Sequence, residues 1–136
     1  MLTDKSSHSK QGVIGLGAAI AYFTRNDFVV CVPLTDTQKY DLIVEKDDIL
    51  ERIQVKTTRF SRDEGYWSVQ LRTMGGNRSN GKTQSFVNEG KADGLFILCE
   101  DGSEYLIPIR DIKAKFELIL GGEKYARFLI TPARKG

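Results

Sequence analysis

The chain carries one histidine and two cysteines, has a net charge of only +2, and contains no long apolar run. A membrane-crossing helix needs about 18 or more consecutive apolar residues, so none is expected. No charged, then apolar, then cleavable segment opens the chain, and the expectation is a soluble, cytoplasmic protein. The lone histidine, His8, falls in a polar, aperiodic start, MLTDKSSHS, which is expected to be flexible, and it is assigned no chemistry. Cys31 and Cys99 sit in apolar strand-like runs, where free cysteine behaves as a small buried hydrophobe. They are expected as core thiols, with a single bridge between them left open. Twenty Lys plus Arg against eighteen Asp plus Glu excludes the strongly basic balance of a histone-like binder. Any nucleic-acid surface must therefore arise from local segregation of charge. No repeat or linker interrupts the 136 residues, and a hydrophobic fraction of 40% supports one domain, residues 1–136, with one core.

Periodicity supplies the elements. Val13, Leu16, Ala19, Ile20 and Phe23 recur at spacings of three and four, the mark of one helix face running from Lys10 to about Arg25. Gly12, Gly15 and Gly17 crowd that helix, although each interior glycine costs about 1 kcal/mol relative to alanine. Tight packing on a sheet is the expected reason, and close approach to a phosphate chain or another helix is the alternative. Phe28 to Val32 is a β-branched run expected as a buried strand, ended by Pro33. Tyr40 to Glu45 and Ile49 to Thr58 read as two strands joined by a turn at Lys46-Asp47-Asp48, with Arg52, Gln54 and Lys56 on one face of the second. Tyr66 to Met74 reads as a strand that leads into the loop GGNRSNGKTQS. Gly94 to Cys99 reads as a buried strand turned by Asp101-Gly102 onto Glu104 to Ile109. Asp111 to Lys115 is expected as a short helical turn, and Phe116 to Leu120 and Tyr125 to Ile130 as short strands. The order gives an α+β fold, a mixed sheet with a helix on one face.

The hairpin within Pro33 to Arg59 carries the chemistry. It brings the start of one strand beside the end of the next, and so gathers Asp41, Gln54 and Lys56. Phosphodiester cleavage needs a deprotonated water and stabilisation of charge on phosphorus, and a hard divalent cation supplies both. Magnesium takes oxygen ligands, and one or two carboxylates with carbonyls and the substrate phosphate suffice to hold it. Asp41 is the carboxylate, the Gln54 side-chain oxygen or the Val55 carbonyl completes the shell, and Lys56 orients water or neutralises phosphate charge. From spacing alone, an ordinary Asp–Lys ion pair across two solvent-facing strands is the favoured reading, because that spacing is common by chance.

Beyond that spacing, the stretch PLTDTQKYDLIVEKDDILERIQVKTTR resembles the PD-(D/E)XK nuclease superfamily, in its group I intron homing endonuclease branch. Ala19 to Phe23, Pro33-Leu34, Tyr40-Asp41-Leu42, Gln54 to Thr57, Thr73 to Arg78 and Tyr105 to Pro108 carry the resemblance over most of the chain. It implies a restriction-endonuclease-like core with a β-ribbon or loop extension that reads DNA. It implies Asp41 as metal ligand, Gln54 in the place usually held by Asp or Glu, and Lys56 as catalytic lysine. Mg2+ is the implied cofactor, with Mn2+ able to substitute. The partner is double-stranded DNA, cut by a homo-oligomer, dimer or tetramer. A glutamate often found on the first helix of the superfamily is absent here, because GLGAAI, Gly15 to Ile20, puts Leu16 or Gly17 at its expected place.

For DNA contacts, Gln70 and Arg72 lie on the polar face of the strand from Tyr66, and Gln and Arg are the usual partners of adenine and guanine. Asn77, Arg78, Asn80 and Lys82 in the following loop join them, with Arg59 and Arg62 expected on phosphates. Phe116 to Leu120 and Phe128 to Ile130 fit either an interface or the core. The expected activity is therefore a magnesium-dependent, sequence-specific DNA endonuclease of the homing type. A Holliday-junction-resolvase-like nuclease and a catalytically inactive DNA-binding module are the alternatives.

Overall fold

The computed structural model describes residues 8–35, 37–61, 63–74, 83–85, 87 and 89–134. Helix α1, His8–Arg25, begins at His8, so the histidine opens the helix instead of preceding it. Its inward stripe is Gln11, Gly15, Ala19 and Phe23, spaced by four, whereas Val13, expected in the core, is 69% exposed. Gly15 sets this rotation. A β-carbon there would stand 2.5 Å from Thr57 Cγ2, so the helix backbone comes this close to the sheet only with glycine. Val13, two residues and about 200° away around the helix, is turned outward. No helix among the described residues is long and apolar enough to cross a membrane.

Ten strands follow among the described residues: β1 Val29–Cys31, β2 Leu42–Lys46, β3 Ile49–Thr58, β4 Trp67–Gln70, β5 Arg72–Met74, β6 Thr83–Ser85, β7 Gly94–Cys99, β8 Glu104–Pro108, β9 Glu117–Leu120 and β10 Leu129–Thr131. The main sheet has the order β1-β2-β3-β7-β8-β10. Only the β3–β7 pairing in it is parallel. Asp47 and Asp48 take positive φ angles of 53° and 64° in the β2–β3 turn, the left-handed pair that a two-residue hairpin requires. Leu42, Val44, Ile53, Phe96 and Leu98 bury against Ala19 and Phe23 of the helix. On the opposite face, Leu95, Ile97, Cys99 and Ile107 bury under a second layer from the β4–β9 pair, through Val69, Leu71, Leu118 and Leu120. Strand β7 is therefore buried on both faces, as its unbroken apolar run GLFILC predicts.

Further expectations change. The run FVVCV is an edge strand, so Val29 is 57% exposed and Cys31 is an exposed thiol. Cys31 and Cys99 are both free, which excludes a bridge between them. The stretch expected as one strand over 66–74 divides at Leu71, where the partner changes from β9 to β6 and the Leu71 N–H donates to Phe116 O at 2.8 Å. The helical turn expected at 111–115 lies at Ile109–Asp111, and Glu123–Phe128 is 3-10 helix, leaving only Leu129–Thr131 extended. Leu118 and Leu120 are fully buried and belong to the core, not to an interface.

Candidate active site

The site forms where β3 outruns β2. The β2–β3 register begins at Leu42↔Ile53, while β3 stays paired with β7 through Thr58↔Cys99, so residues 54–58 keep one open edge. Backbone polar groups alternate sides along a strand. Asp93 N–H donates to Arg52 O on the β7 side, and Asp41 N–H donates to Ile53 O at 2.8 Å on the open side. Val55 faces the open side too, and its N–H donates to Asp41 Oδ2 at 2.7 Å. The aspartate thus replaces the missing strand partner, and the Val55 carbonyl points to the same edge. The β2–β3 register stops at Leu42↔Ile53, and Asp41 N–H bonds to that same Ile53, so the aspartate sits at the end of the ladder.

Burial dominates the charges of this pair. Desolvation pushes the Asp41 carboxyl above its ordinary value, against the Val55 N–H and the Lys56 charge, which both favour the anion. Desolvation likewise lowers the Lys56 ammonium despite the Asp41 charge. Each group is less comfortable charged than it would be in water, a pattern concentrated at functional sites.

Two hollows meet at this edge and share Gly12 and Val55. The smaller, ≈ 270 Å3, is lined by Gly12, Val13, Leu16, Asp41 and Val55. The larger, ≈ 430 Å3, runs from Gln11 and Lys56 past Arg59 and Phe60 to Ser68 and Gln70. Its lining carries two cations, Lys56 and Arg59, and no carboxylate. Among the described residues, no group of three His, Cys, Asp or Glu side chains is placed to hold a metal ion. Gly17 lines neither hollow, so Leu16 is the helix position nearer to what the resemblance predicts.

The expected residues are distributed unevenly. Asp41, Val55 and Lys56 come together through the hydrogen bond and charge interaction above, whereas Gln54 pairs with Leu95 of β7 and lines neither hollow. Arg59 and Gln70 line the larger hollow. Arg72 does not; its guanidinium lies 4.9 Å from the centre of the Phe116 ring. Arg62, Asn77, Arg78, Asn80 and Lys82 lie outside the described residues. Sequence reasoning missed Gln11 and Phe60. Gln11 is a buried polar side chain on the inward stripe, and its spacing of four from Gly15 was the available signal. Phe60 gave none, because an aromatic after a strand usually joins a core.

The donor set fits a hard cation only sparely. Asp41 offers one carboxylate, with Oδ2 engaged by Val55 N–H, and the Val55 carbonyl faces the same edge. One carboxylate with carbonyl oxygens is within what Mg2+ accepts when the substrate phosphate and waters complete the shell.

A PD-(D/E)XK endonuclease family model matches residues 6–125. The structure is similar to that of a bacterial homing endonuclease, I-Ssp6803I, with a TM-score of 0.73 and 27% identity over 85% of this chain and 78% of that one. No curated protein matches. PD-(D/E)XK nucleases in general use divalent metals. Since the family match spans all but the two ends of the chain, and the restriction-endonuclease-like sheet accompanies it, the chain belongs to the PD-(D/E)XK endonucleases, a family of DNA endonucleases.

Proposed function

We propose that this chain is a magnesium-dependent, sequence-specific double-stranded DNA endonuclease of the homing type, with Mn2+ able to substitute, working as a homo-oligomer. The observation that carries the reading is the Asp41–Val55–Lys56 edge opening onto a hollow that bears Lys56 and Arg59 and no carboxylate. Asp41, the Val55 carbonyl and the Gln54 amide oxygen would hold the cation. When bound, it lowers the pKa of the attacking water and neutralises charge on the phosphate. Asp41 is fixed for this by Val55 N–H, which sets its carboxylate plane before any ligand arrives. Lys56 Nζ donates hydrogen bonds to the attacking water or to a non-bridging phosphate oxygen. Its lowered pKa makes proton exchange easier than at an ordinary lysine. Arg59, at the exposed end of β3, contacts the backbone beyond the scissile bond, and Gln70 faces the same hollow for base readout.

The direct test is plasmid cleavage with added Mg2+ or Mn2+. Cleavage by the parent chain is expected, with loss in Lys56→Ala while DNA binding survives. Absence of cleavage by the parent under both metals removes the enzyme reading. One observation favours a second reading, an inactive DNA-binding module: the helix positions facing Asp41 are Gly12, Val13 and Leu16, none of them acidic. Under that reading the parent binds DNA, and Leu16→Glu is needed before any cut appears.

A further inference from the structure

Phe60 is an aromatic side chain held where no core reaches it. It is 65% exposed and belongs to neither hydrophobic cluster. Leaving a large ring in water forgoes the stabilisation that burial in the core would give. Its backbone is nevertheless fixed. Phe60 O accepts the Ser68 N–H at 2.9 Å, and Phe60 N–H donates to Thr58 Oγ1 at 3.3 Å. That hydroxyl is buried and itself donates to Ser68 O at 2.6 Å, while Ser61 bridges to Trp67 just beyond. The segment after β3 therefore projects the ring from a braced position rather than from a loose loop.

The place it projects from indicates the ligand. Phe60 lines the larger hollow together with Lys56, Arg59 and Gln70, four residues of chain beyond Lys56. Four extended residues span at most about 13 Å, roughly four base-pair rises of a duplex. Apolar side chains that meet DNA in such settings enter between base pairs, partly unstack them and kink the duplex, while cations hold the phosphates alongside. A cation-lined hollow with one rigidly mounted, unpacked ring has the parts for that arrangement. The lining around the ring mixes Val55 and Val69 with the hydroxyls of Thr58 and Ser68, and its two cations, Lys56 and Arg59, favour a phosphate backbone as the partner.

We propose that Phe60 is a base-stack wedge, inserting its ring into duplex DNA near the scissile phosphodiester while Lys56 and Arg59 hold the backbone. This rests on the nuclease reading above and adds a shape preference to it: a step already weakened is bound better than an intact one. The test uses labelled duplexes of one sequence, either fully paired or with a single central mismatch, bound at low salt in EDTA so that nothing is cut. The parent is expected to favour the mismatched duplex on the order of tenfold, reflecting the unstacking it no longer has to drive. Phe60→Ala should bind the paired duplex but show less than about a twofold preference, and Phe60→Trp should restore the preference. A 2-aminopurine beside the mismatch should brighten with the parent and stay quenched with Phe60→Ala. Equal preference in parent and Phe60→Ala overturns the wedge, as does a change in elution volume that shows Phe60 buried between copies. Failure of the parent to bind either duplex overturns the wedge and the nuclease reading together, whereas binding without any preference overturns the wedge alone.

Discussion

Two aspartates bond to strand β3 on its opposite edges, Asp93 at Arg52 and Asp41 at Val55, and the two are held in opposite ways. At its first half, Asp93 takes a fork from Arg52: Oδ2 accepts the backbone N–H at 2.7 Å and Nε at 3.2 Å, and Oδ1 accepts Nη2 at 3.2 Å. That partnership holds the Asp93 carboxyl below its ordinary range, with the Arg52 hydrogen bond the leading cause. At the far half, Asp41 has a backbone N–H and a nearby lysine, yet burial wins and its carboxyl is raised. The first pair is saturated and staples Arg52 of β3 to the residue just before β7. The second is under-neutralised, which is the condition of a site awaiting a ligand.

The signs with pH follow. Asp93, with a depressed value, contributes stability that is present above its ordinary 3.8 and lost as pH falls through the lower folded value. Asp41, with a raised value, contributes stability that is present below 3.8 and lost as pH rises through the higher folded value. Lys56, with a lowered value, contributes stability above 10.5 that is lost as pH falls through its folded value. At neutral pH the Asp41–Lys56 pair therefore works against stability and the Asp93–Arg52 pair supports it.

The comparison breaks most sharply under substitution of Lys56. Lys56→Ala should reduce cleavage on the order of a hundredfold or more in a Mg2+ plasmid assay, with melting temperature unchanged or higher. Asp93→Asn should leave cleavage of a bound site within about twofold. Next in size, Leu16→Glu adds a carboxylate to the Asp41 hollow and should tighten Mn2+ binding about tenfold by calorimetry. Gly17→Glu, on the exposed side of the helix, should leave that affinity unchanged. Smaller again is the shift in titration of the pair itself. In the metal-free chain, NMR titration should place Asp41 above 3.8 and Lys56 below 10.5, so titration at those unperturbed values counts against the pair. The smallest effect is at the staple. Asp93→Ala removes a half-exposed ion pair and one backbone hydrogen bond, and should lower unfolding free energy by about 1 kcal/mol in denaturant titration.

What the sequence made legible was local. Asp47-Asp48 marks a two-residue hairpin because left-handed residues are needed there, and GLFILC marks a doubly buried strand because nothing polar interrupts it. The same hairpin was enough to bring Asp41 to Val55 and Lys56. What stayed hidden depended on neighbours distant in the chain. FVVCV has the composition of a central strand, but nothing within it shows that no strand lies beyond. Leu71 breaks a strand only because Phe116 meets its N–H and the partner then changes. Val13 fits the hydrophobic period, yet the Gly15–Thr57 contact sets the helix rotation and turns Gln11 inward instead. Phe60 is exposed because its strand ends on the cleft.

The contrast between the two aspartates comes down to one thermal measurement on the parent, Asp41→Asn and Asp93→Asn, at neutral pH with and without Mg2+. Asparagine at 41 keeps an oxygen for Val55 N–H and removes the uncomfortable charge. That variant should melt higher than the parent and ignore the metal, while the parent gains a few degrees with it. Asp93→Asn should melt lower than the parent and respond to the metal as the parent does. An Asp41→Asn chain that melts lower and still gains from Mg2+ would contradict the assignment of Asp41 as the metal-holding carboxylate.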